Sequence, residues 1–362
     1  MRFGSTLPLL AVLTACGSTS KETGQTPTES TPDTTSEPTD SGQTGGDADT
    51  DTDTDTDTDT DTDPDTDTDT QAVDGWFEAC PDDVAEQRRI EVGDIGLNVA
   101  CRGDGPVVVL LHGFPEFHHS WNGVMDELVG EYRLVAPDLR GYNTSDKPED
   151  IEDYELPLLM QDVLALLPQV SVDPVILVAH DWGGPVGWMV AHHPDSHVRG
   201  FLSTNGPHPL RFAELIATDP AQEQASSYMA AFRSEFAEIY ITPESLAVDF
   251  AELLSEEDLA LYIEAWEQPG AITGGLNWYR ANSLDVPDIE ADMKGLEPTI
   301  TAPVTVMWGL DDEYVLASNA EGLEPYASDL EVYTYKGVDH WIEHRIPDEV
   351  AEQIRALDVR AK

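Results

Sequence analysis

The stretch Val175-Ile-Leu-Val-Ala-His-Asp-Trp-Gly-Gly184 decides the fold of this 362-residue chain. It opens on four apolar residues, mostly β-branched, which is typical of a buried strand in a parallel sheet. The small residues Ala179, Gly183 and Gly184 then allow a sharp turn, and an apolar helical pattern runs from Val186 to His192. The stretch therefore predicts a strand, a tight turn and a helix that pass close to one another.

Asp181 stands at the apex of this strand–turn–helix unit, the position at which a nucleophile elbow exposes its reactive side chain. The dipole of the following helix favours an ionised carboxylate there, and such a carboxylate can attack carbon to form an ester. Asp is also a favoured residue at helix caps, so the turn alone leaves a capping role and a catalytic role equally open.

The formal net charge of −53 makes nucleic acid and anionic membrane surfaces poor partners for this chain. Much of the charge lies in residues 17–72, where 17 acidic residues stand against one basic residue, Lys21. Asp occupies every odd position from Asp47 to Asp69, and a stretch of this composition cannot bury a core. We predict a disordered, extended acidic linker over residues 17–72, and we interpret it as a solvated spacer rather than a calcium-binding repeat.

Residues 1–16 resemble a signal for export. Arg2 supplies a positive start, and the apolar run from Leu7 to Leu13 is shorter than the roughly 20 residues that span a bilayer. The ending Leu13-Thr-Ala-Cys16 resembles a bacterial lipoprotein signal, in which the cysteine becomes the lipidated first residue. Because Gly17 rather than Asp follows, the resemblance implies an outer-membrane lipoprotein, periplasmic or at the cell surface, anchored to the membrane through Cys16. An ordinary cleaved signal peptide is the alternative.

Two further cysteines, Cys80 and Cys101, lie near the start of the globular part of the chain. An exported compartment permits a disulfide, and we predict that the two residues pair. Two free buried thiols are the alternative, and a Cα separation well above about 7 Å would exclude the disulfide.

From residue 73 onwards, apolar segments that predict strands alternate with helical patterns, except over residues 208–285, which are helical in pattern and rich in aromatic residues. The predicted strands are 88–92, 97–102, 106–111, 132–136, 175–178, 198–203, 303–309 and 330–335. The predicted helices between them are 121–129, 155–167, 186–192, 314–322 and 340–357. This alternation implies a mostly parallel sheet with helices on both faces, and the helical block is expected to cap the carboxyl ends of the strands.

Four separated motifs, in order along residues 74–362, resemble those of the epoxide hydrolases of the α/β-hydrolase fold. They are His112-Gly-Phe-Pro115, Ala179-His-Asp-Trp-Gly-Gly184, Trp308-Gly-Leu-Asp-Asp312 and Asp339-His-Trp341. The resemblance implies an α/β-hydrolase domain over residues 73–362 with an eight-stranded, mostly parallel sheet. Its core would be residues 73–207 and 286–362, and the inserted helical cap would be residues 208–285.

The resemblance also implies roles for residues at the edge of the sheet. Asp181 would attack an epoxide carbon, and His340, oriented by Asp312, would then activate water against the resulting ester. The backbone N–H groups of Phe114 and Trp182 would form the oxyanion hole.

In the cap, Gly275-Leu-Asn-Trp-Tyr-Arg280 and Ser227-Tyr-Met-Ala-Ala-Phe-Arg233 resemble the segments that carry two ring-opening tyrosines. The resemblance assigns those roles to Tyr279 and Tyr228, because a neutral phenol with a pKa near 10 can donate to the epoxide oxygen. Each tyrosine has the alternative of being a core aromatic residue. Three further residues are expected at the substrate pocket: His112, Pro115 and Trp278.

Two positions depart from the family pattern. Asp339 stands where a Gly usually precedes the catalytic histidine, and its carboxylate is expected to raise the pKa of His340 and weaken it as a base. Asn143 stands where a Gly is expected, and the turn should survive because Asn tolerates positive φ.

Two other functions remain open. A haloalkane or haloacid dehalogenase would use the same Asp181 nucleophile, but Phe114 stands where haloalkane dehalogenases usually carry Asn, and no Arg follows the nucleophile as in fluoroacetate-type enzymes. A non-catalytic surface lipoprotein with a hydrolase-like fold is the second alternative. The expected partner is a small-molecule epoxide, and we expect no cofactor and no metal ion. The sequence does not predict the oligomeric state.

Overall fold

The structure, a computed structural model, describes residues 79–362, so the signal, Cys16 and the acidic linker lie outside the described residues. The strands are β1 Glu86–Val92, β2 Ile95–Arg102, β3 Val107–Leu111, β4 Arg133–Pro137, β5 Val175–His180, β6 Val198–Thr204, β7 Val304–Gly309 and β8 Leu330–Tyr335. They form one sheet in the order β1-β2-β4-β3-β5-β6-β7-β8. The β1–β2 and β2–β4 pairs are antiparallel and the others parallel, which confirms the predicted eight-stranded, mostly parallel sheet.

Helices cover the sheet and form the cap. They are α1 Asn122–Leu128, α2 Leu156–Val170, α3 Gly183–His192, α4 Pro209–Thr218, α5 Pro220–Ala225, α6 Met229–Phe232, α7 Ala237–Tyr240, α8 Pro243–Phe250, α9 Glu256–Trp266, α10 Ala271–Ala281, α11 Val286–Asp292, α12 Ile342–Arg345 and α13 Pro347–Arg360. Short 3-10 turns span His118–Trp121, Ile151–Tyr154, Ser226–Tyr228 and Ala317–Ala320.

Successive side chains of the central strands point to opposite faces of the sheet, and helices cover both faces. These strands are therefore buried on both sides. Val109 and Leu177 belong to one hydrophobic layer, which also contains the buried faces of α2 and α3. Val108 and Ile176 belong to the other layer, which contains those of α1 and α13. This double cover leaves the carboxyl ends of the strands as the accessible edge, under the cap.

The predicted helix at residues 314–322 is wrong, since only the short 3-10 turn Ala317–Ala320 forms there. The backbone N–H groups of Tyr314 and Val315 donate to Oδ1 of Asp312 at 2.8 and 2.9 Å. The Asp312 carboxylate therefore accepts hydrogen bonds from backbone N–H groups at the position where the predicted helix would begin.

The predicted helix at residues 340–357 forms as two pieces, α12 and α13, with Ile346 between them at φ −141° and ψ 56°. Pro347 explains the break, because proline has no N–H for a helix interior and clashes with the preceding turn, whereas it fits the first turn of a new helix.

The inserted block consists of helices and turns, as predicted, with α4 to α10 lying between Pro209 and Ala281. It continues beyond residue 285, because α11 packs against α4 and buries Ile289. The helical insertion thus extends to Asp292.

Cys80 and Cys101 form a disulfide with their Cα atoms 5.8 Å apart, which confirms the predicted pairing. The bond ties the segment before β1 to strand β2. Within residues 79–362, every helix is too short or too polar to cross a membrane.

Candidate active site

Asp181 lies in a tight turn between the end of β5 and the start of α3. Its φ is +47°, a left-handed conformation that is uncommon for residues other than Gly. The turn requires glycine at positions 183 and 184, because a Cβ there would clash with neighbouring backbone atoms. A Cβ on Gly183 would lie 2.7 Å from the carbonyl oxygen of His112, and a Cβ on Gly184 would lie 2.3 Å from the Cα of Gly206. Close packing therefore holds Asp181 at the carboxyl edge of the sheet.

The carboxylate of Asp181 is buried, and each of its oxygens has a polar neighbour. Oδ1 accepts a hydrogen bond from the N–H of Phe114 at 2.7 Å, and Oδ2 lies 3.5 Å from Nε2 of His340. Burial by itself raises the pKa of Asp181, but His340 and the Phe114 N–H lower it below its ordinary value. The side chain is thus held ionised in a site that excludes most water.

His340 connects Asp181 to Asp312, which lies in the turn after β7. Nδ1 of His340 is 2.8 Å from Oδ2 of Asp312, and Nε2 faces Asp181. Burial lowers the pKa of His340, but the Asp312 and Asp181 carboxylates together raise it well above its ordinary value. The carboxylate of Asp312 therefore fixes the ring so that the other nitrogen faces the nucleophile.

Asn205, to which the sequence assigns no role, fixes the acid Asp312. It follows β6 with φ +43°, and its Nδ2 donates to Oδ2 of Asp312 at 2.6 Å while its Oδ1 accepts from the Gly309 N–H at 2.9 Å. Oδ1 of Asp312 is held by the two backbone N–H groups described above. An Asn that tolerates positive φ at the end of a buried strand is the sequence signal for this residue.

Asp339 does not act on His340 as expected. Its carboxylate pairs with Arg345, whose Nη2 lies 2.8 Å from Oδ2. The groups that raise the pKa of His340 are the other two carboxylates, Asp312 and Asp181. The expectation that Asp339 weakens the base is wrong because its side chain points toward α12. Asn143, by contrast, adopts the predicted positive φ, +42°.

Tyr228 and Tyr279 both line the cavity above Asp181 from the cap. Their ring centroids are 6.3 Å apart. The ring of Trp182 packs edge to face against that of Tyr279, with centroids 5.1 Å apart. Burial raises the pKa of both phenols well above the ordinary value, and the carboxylate of Asp181 adds to the rise. Both hydroxyls therefore stay protonated and available as donors.

The loop after β3 approaches the same carboxylate. A Cβ on Gly113 would lie 2.2 Å from the Cβ of Asp181, so only glycine allows the N–H of Phe114 to reach Oδ1. The Phe114–Pro115 peptide bond is cis, and Pro115 lines the cavity. Trp182 directly follows Asp181 at the start of α3, where backbone N–H groups have no acceptor within the helix.

A cavity that is open to solvent at its mouth lies over Asp181 and His340. Apolar side chains form most of its wall: Phe114, Pro115, Phe232, Leu246, Phe250, Leu253 and Trp341. The remaining polar groups are Tyr228, Tyr279, Tyr314 and Asp249, of which the last two are not predicted by the sequence motifs. Burial raises the pKa of Asp249 to about 6. A cavity of this kind fits a small, largely apolar molecule.

Two residues predicted to line the pocket lie behind it instead. His112 is fully buried, and its Nε2 accepts the N–H of Leu139 at 2.9 Å. Trp278 is fully buried, and its indole N–H donates to the carbonyl oxygen of Arg140 at 2.9 Å. The pocket predictions for His112 and Trp278 are wrong because both side chains turn away from the cavity to hold surrounding loops.

One cavity thus brings together an ionised carboxylate, a histidine–carboxylate pair and two phenols. These groups can supply a nucleophile, a base for water and donors for a developing alkoxide. All five residues predicted to carry the reaction meet here: Asp181, His340, Asp312, Tyr228 and Tyr279.

The fold and this site define an α/β hydrolase, and comparison with known proteins agrees. Residues 106–343 match the family model described as the alpha/beta hydrolase fold. The chain is 34% identical over 274 residues to the AB hydrolase superfamily protein YfhM of Bacillus subtilis (strain 168). The alignment covers 71% of this chain and 92% of YfhM. The chain belongs to the α/β-hydrolase family.

Within the family, the relatives include epoxide hydrolases. Epoxide hydrolase 4 of Mus musculus is 33% identical over 278 residues, covering 72% of this chain and 76% of that protein. The crystal structure of an epoxide hydrolase from Bacillus megaterium, in complex with an inhibitor, aligns with a TM-score of 0.68 at 29% identity. The alignment covers 75% of this chain and 99% of the bacterial one. The chain is a homologue of these epoxide hydrolases.

Proposed function

We propose that this protein hydrolyses a small-molecule epoxide to a vicinal diol, through a covalent ester on Asp181. The observation that carries the proposal is the pair of phenols, Tyr228 and Tyr279, that line the cavity above the buried, ionised carboxylate. Nucleophile and proton donors thereby face a substrate from two sides, as ring opening requires.

In the first step, Oδ2 of Asp181 attacks an epoxide carbon and the carbon–oxygen bond on that carbon breaks. The electron pair goes to the epoxide oxygen, which takes a proton from one of the two phenols. The product is a hydroxyalkyl ester. Oδ1, already bonded to the N–H of Phe114, becomes the ester carbonyl oxygen.

In the second step, Nε2 of His340 takes a proton from water, and the resulting hydroxide adds to the carbonyl carbon of the ester. The N–H groups of Phe114 and Trp182 stabilise the tetrahedral oxyanion, and one such donor is typically worth about 2.7–4 kcal/mol. The diol then leaves as its alkoxide and takes the proton from His340. The proton that remains on the new carboxyl group of Asp181 returns to the phenolate left by ring opening, which restores both the Asp181 carboxylate and the phenol.

The dehalogenase alternative fits the site less well. A halide leaving group needs weak donors such as an indole N–H and no proton. Here the indole ring of Trp182, next to the nucleophile, packs edge to face against Tyr279 and is not among the side chains that line the cavity. The two phenols are strong donors at the place where an oxygen would leave, which favours an epoxide.

The experiment is to treat the full chain carrying His340→Gln with an aryl epoxide and measure the intact mass. Asp181 can still attack, but water is no longer activated, so an ester should accumulate. An epoxide adds without losing an atom, so the adduct should weigh the whole epoxide and map to the peptide that contains Asp181. A haloalkane would add its mass less the hydrogen halide.

The control is Asp181→Ala, which should form no adduct and no diol. Absence of any adduct on a folded His340→Gln protein would count decisively against the two-step scheme. It would favour the alternative of a non-catalytic lipoprotein with a hydrolase-like fold if the wild type also shows no turnover of epoxides or haloalkanes.

We also propose that the chain is exported and anchored to the outer membrane by a lipid on Cys16. The ending Leu13-Thr-Ala-Cys16 supports this, as does the disulfide between Cys80 and Cys101, because disulfides persist mainly outside the reducing cytosol. A Cys16→Ser substitution should shift the protein from the membrane fraction to the soluble fraction.

A further inference from the structure

A carboxylate that the proposed reaction does not use lies in the wall of the cavity over Asp181. It belongs to Asp249, near the end of helix α8, and Leu246 and Phe250 of the same helix line the cavity with it. Residues three and four positions apart share one face of a helix, and Leu246 and Phe250 are the buried apolar residues of this face. The packing of α8 therefore holds the side chain of Asp249 at the cavity.

The carboxylate of Asp249 has no partner among residues 79–362, since it forms neither a hydrogen bond nor an ion pair with them. The side chain is half-buried, and burial alone raises its pKa. A carboxylate that loses part of its hydration without gaining a partner costs free energy. Packing gives no reason for an acid at this position, whereas a ligand of suitable charge in the cavity would supply the partner.

Asp249 lies at the mouth of the cavity. The catalytic side chains that line the cavity are all buried. Four other lining residues are half-buried and therefore form the mouth: Asp249, Leu253, Tyr314 and Trp341. A substrate whose epoxide ring reaches Asp181 from this side must place its other end beside Asp249.

Aromatic rings line the mouth beside this carboxylate. The rings of Phe250 and Trp341 lie edge to face, with their centroids 4.8 Å apart. Burial raises the pKa of Tyr314, and the nearby charge of Asp249 raises it further. Aromatic faces attract cations, and quaternary ammonium groups are the ligands for which proteins most clearly use them. Rings and a carboxylate at one opening therefore fit an ammonium group.

The charges around the cavity are negative in sum. The side chains of residues 79–362 that line it include no lysine and no arginine. His340 lies between the carboxylates of Asp181 and Asp312. With Asp249 there are three carboxylates, which exceed the single positive charge of a protonated His340. Coulomb's law then favours a cationic substrate over an anionic one.

We propose that Asp249 is a specificity-determining residue that binds an ammonium group carried by the epoxide. The inference rests on the proposed function and names its substrate class, small epoxides with a quaternary or protonated amine near the ring. The ammonium group would lie at the mouth, against Asp249 and the rings of Tyr314 and Trp341. Because Asp249 binds a part of the substrate that does not react, it should lower KM and leave kcat nearly unchanged.

The test compares epoxides that differ only in charge. One member of each pair carries a trimethylammonium group, and the other carries a tert-butyl group of the same shape. Pairs with one, two and three methylene groups between this group and the ring cover different depths of the cavity. Diol formation by the full chain is measured at pH 7.5, above the pKa of about 6 of Asp249, so that its carboxylate is ionised. For at least one spacer, KM should be about tenfold lower for the cation.

Asp249→Asn should raise KM for the cationic epoxide by about five- to tenfold and change KM for the neutral one by less than about twofold. The variant should fold, because the carboxylate has no partner to lose within residues 79–362. Glu252→Gln is the matched control, since it removes one negative charge from an exposed side chain of the next turn, outside the cavity wall. It reproduces any effect of the overall negative charge of the chain and should keep the preference for the cation.

Two results would overturn the inference. One is an equal KM for both members of every pair in the wild type, a comparison that needs no variant. The other is an equal loss of the preference in Asp249→Asn and Glu252→Gln, which would assign it to the overall charge of the chain.

Turnover of the neutral epoxides tests the proposed function separately, so the two failures can be told apart. If the wild type converts no epoxide, the proposed reaction fails, and calorimetric binding of the corresponding diols decides whether Asp249 binds a cation. The trimethylammonium diol should then bind the wild type about tenfold more tightly than the tert-butyl diol, and Asp249→Asn should bind both alike. Equal binding of the two diols to the wild type would refute the cation site.

Discussion

Replacing Tyr279 with Phe tests the ring-opening step, because it removes one hydroxyl and keeps the packing of the ring. In the wild type Tyr279 lines the cavity above Asp181 beside Tyr228, with the two ring centroids 6.3 Å apart. Loss of one donor to a developing negative charge costs about 2.7–4 kcal/mol, which corresponds to roughly 100- to 1000-fold slower formation of the ester. Hydrolysis of the ester should keep its rate, since that step places no charge on the epoxide oxygen.

Single-turnover kinetics separate the two rates. The fluorescence of Trp182 is a suitable signal, because this residue is adjacent to the nucleophile and its ring lies 5.1 Å from that of Tyr279. Tyr154→Phe is the matched control: its hydroxyl donates to the Pro148 carbonyl at 2.9 Å outside the cavity, so it should lose stability without slowing the ester step. Equal slowing of both steps in Tyr279→Phe, or none, would refute the assignment.

Two further predictions follow from buried polar contacts. Nε2 atoms of His192 and His208 lie 3.2 Å apart, and burial lowers the pKa of both, so stability should be complete above the ordinary histidine value of about 6.5 and fall as the pH drops below it. Urea unfolding between about pH 7.5 and pH 5.5 would measure this loss, which should be smaller in H192Q/H208Q. Asn205→Ala removes the donor to Asp312 and the acceptor of the Gly309 N–H, so it should cost about 2 kcal/mol of unfolding free energy. It should also slow ester hydrolysis more than ester formation, and unchanged hydrolysis would argue against a role in holding the acid.

Strand positions and the elbow could be predicted because both depend on local sequence. Apolar β-branched runs identify strands buried on both faces, and the small residues around Asp181 allow a turn whose positive φ the structure shows. Helix ends were harder to predict, since distant or neighbouring side chains decide them. The carboxylate of Asp312 prevents a helix at residues 314–322, although the sequence there has a helical pattern.

The direction in which a side chain points cannot be predicted from the motifs. His112 and Trp278 belong to segments that border the cavity, yet both point into the surrounding core. Asp339 is adjacent to His340 in sequence but pairs with Arg345. The buried contact between Glu116 and His344 likewise cannot be predicted from one sequence, because the two residues are 228 positions apart and meet only through the fold.

Trp182 links the two halves of the catalytic site. Its backbone follows Asp181 in the elbow, and its indole ring packs edge to face against the ring of Tyr279 in the cap, with centroids 5.1 Å apart. The backbone of Tyr279 is fixed as well, because its carbonyl oxygen accepts a hydrogen bond from Nε of Arg233 at 2.8 Å, and Trp278 anchors the same helix to the core. The donor is therefore held relative to the nucleophile by the packing of its ring and by the contacts of its backbone. A donor placed in this way needs no reorganisation as charge develops on the substrate oxygen, and this preorganisation is what makes such a hydrogen bond effective in a buried site.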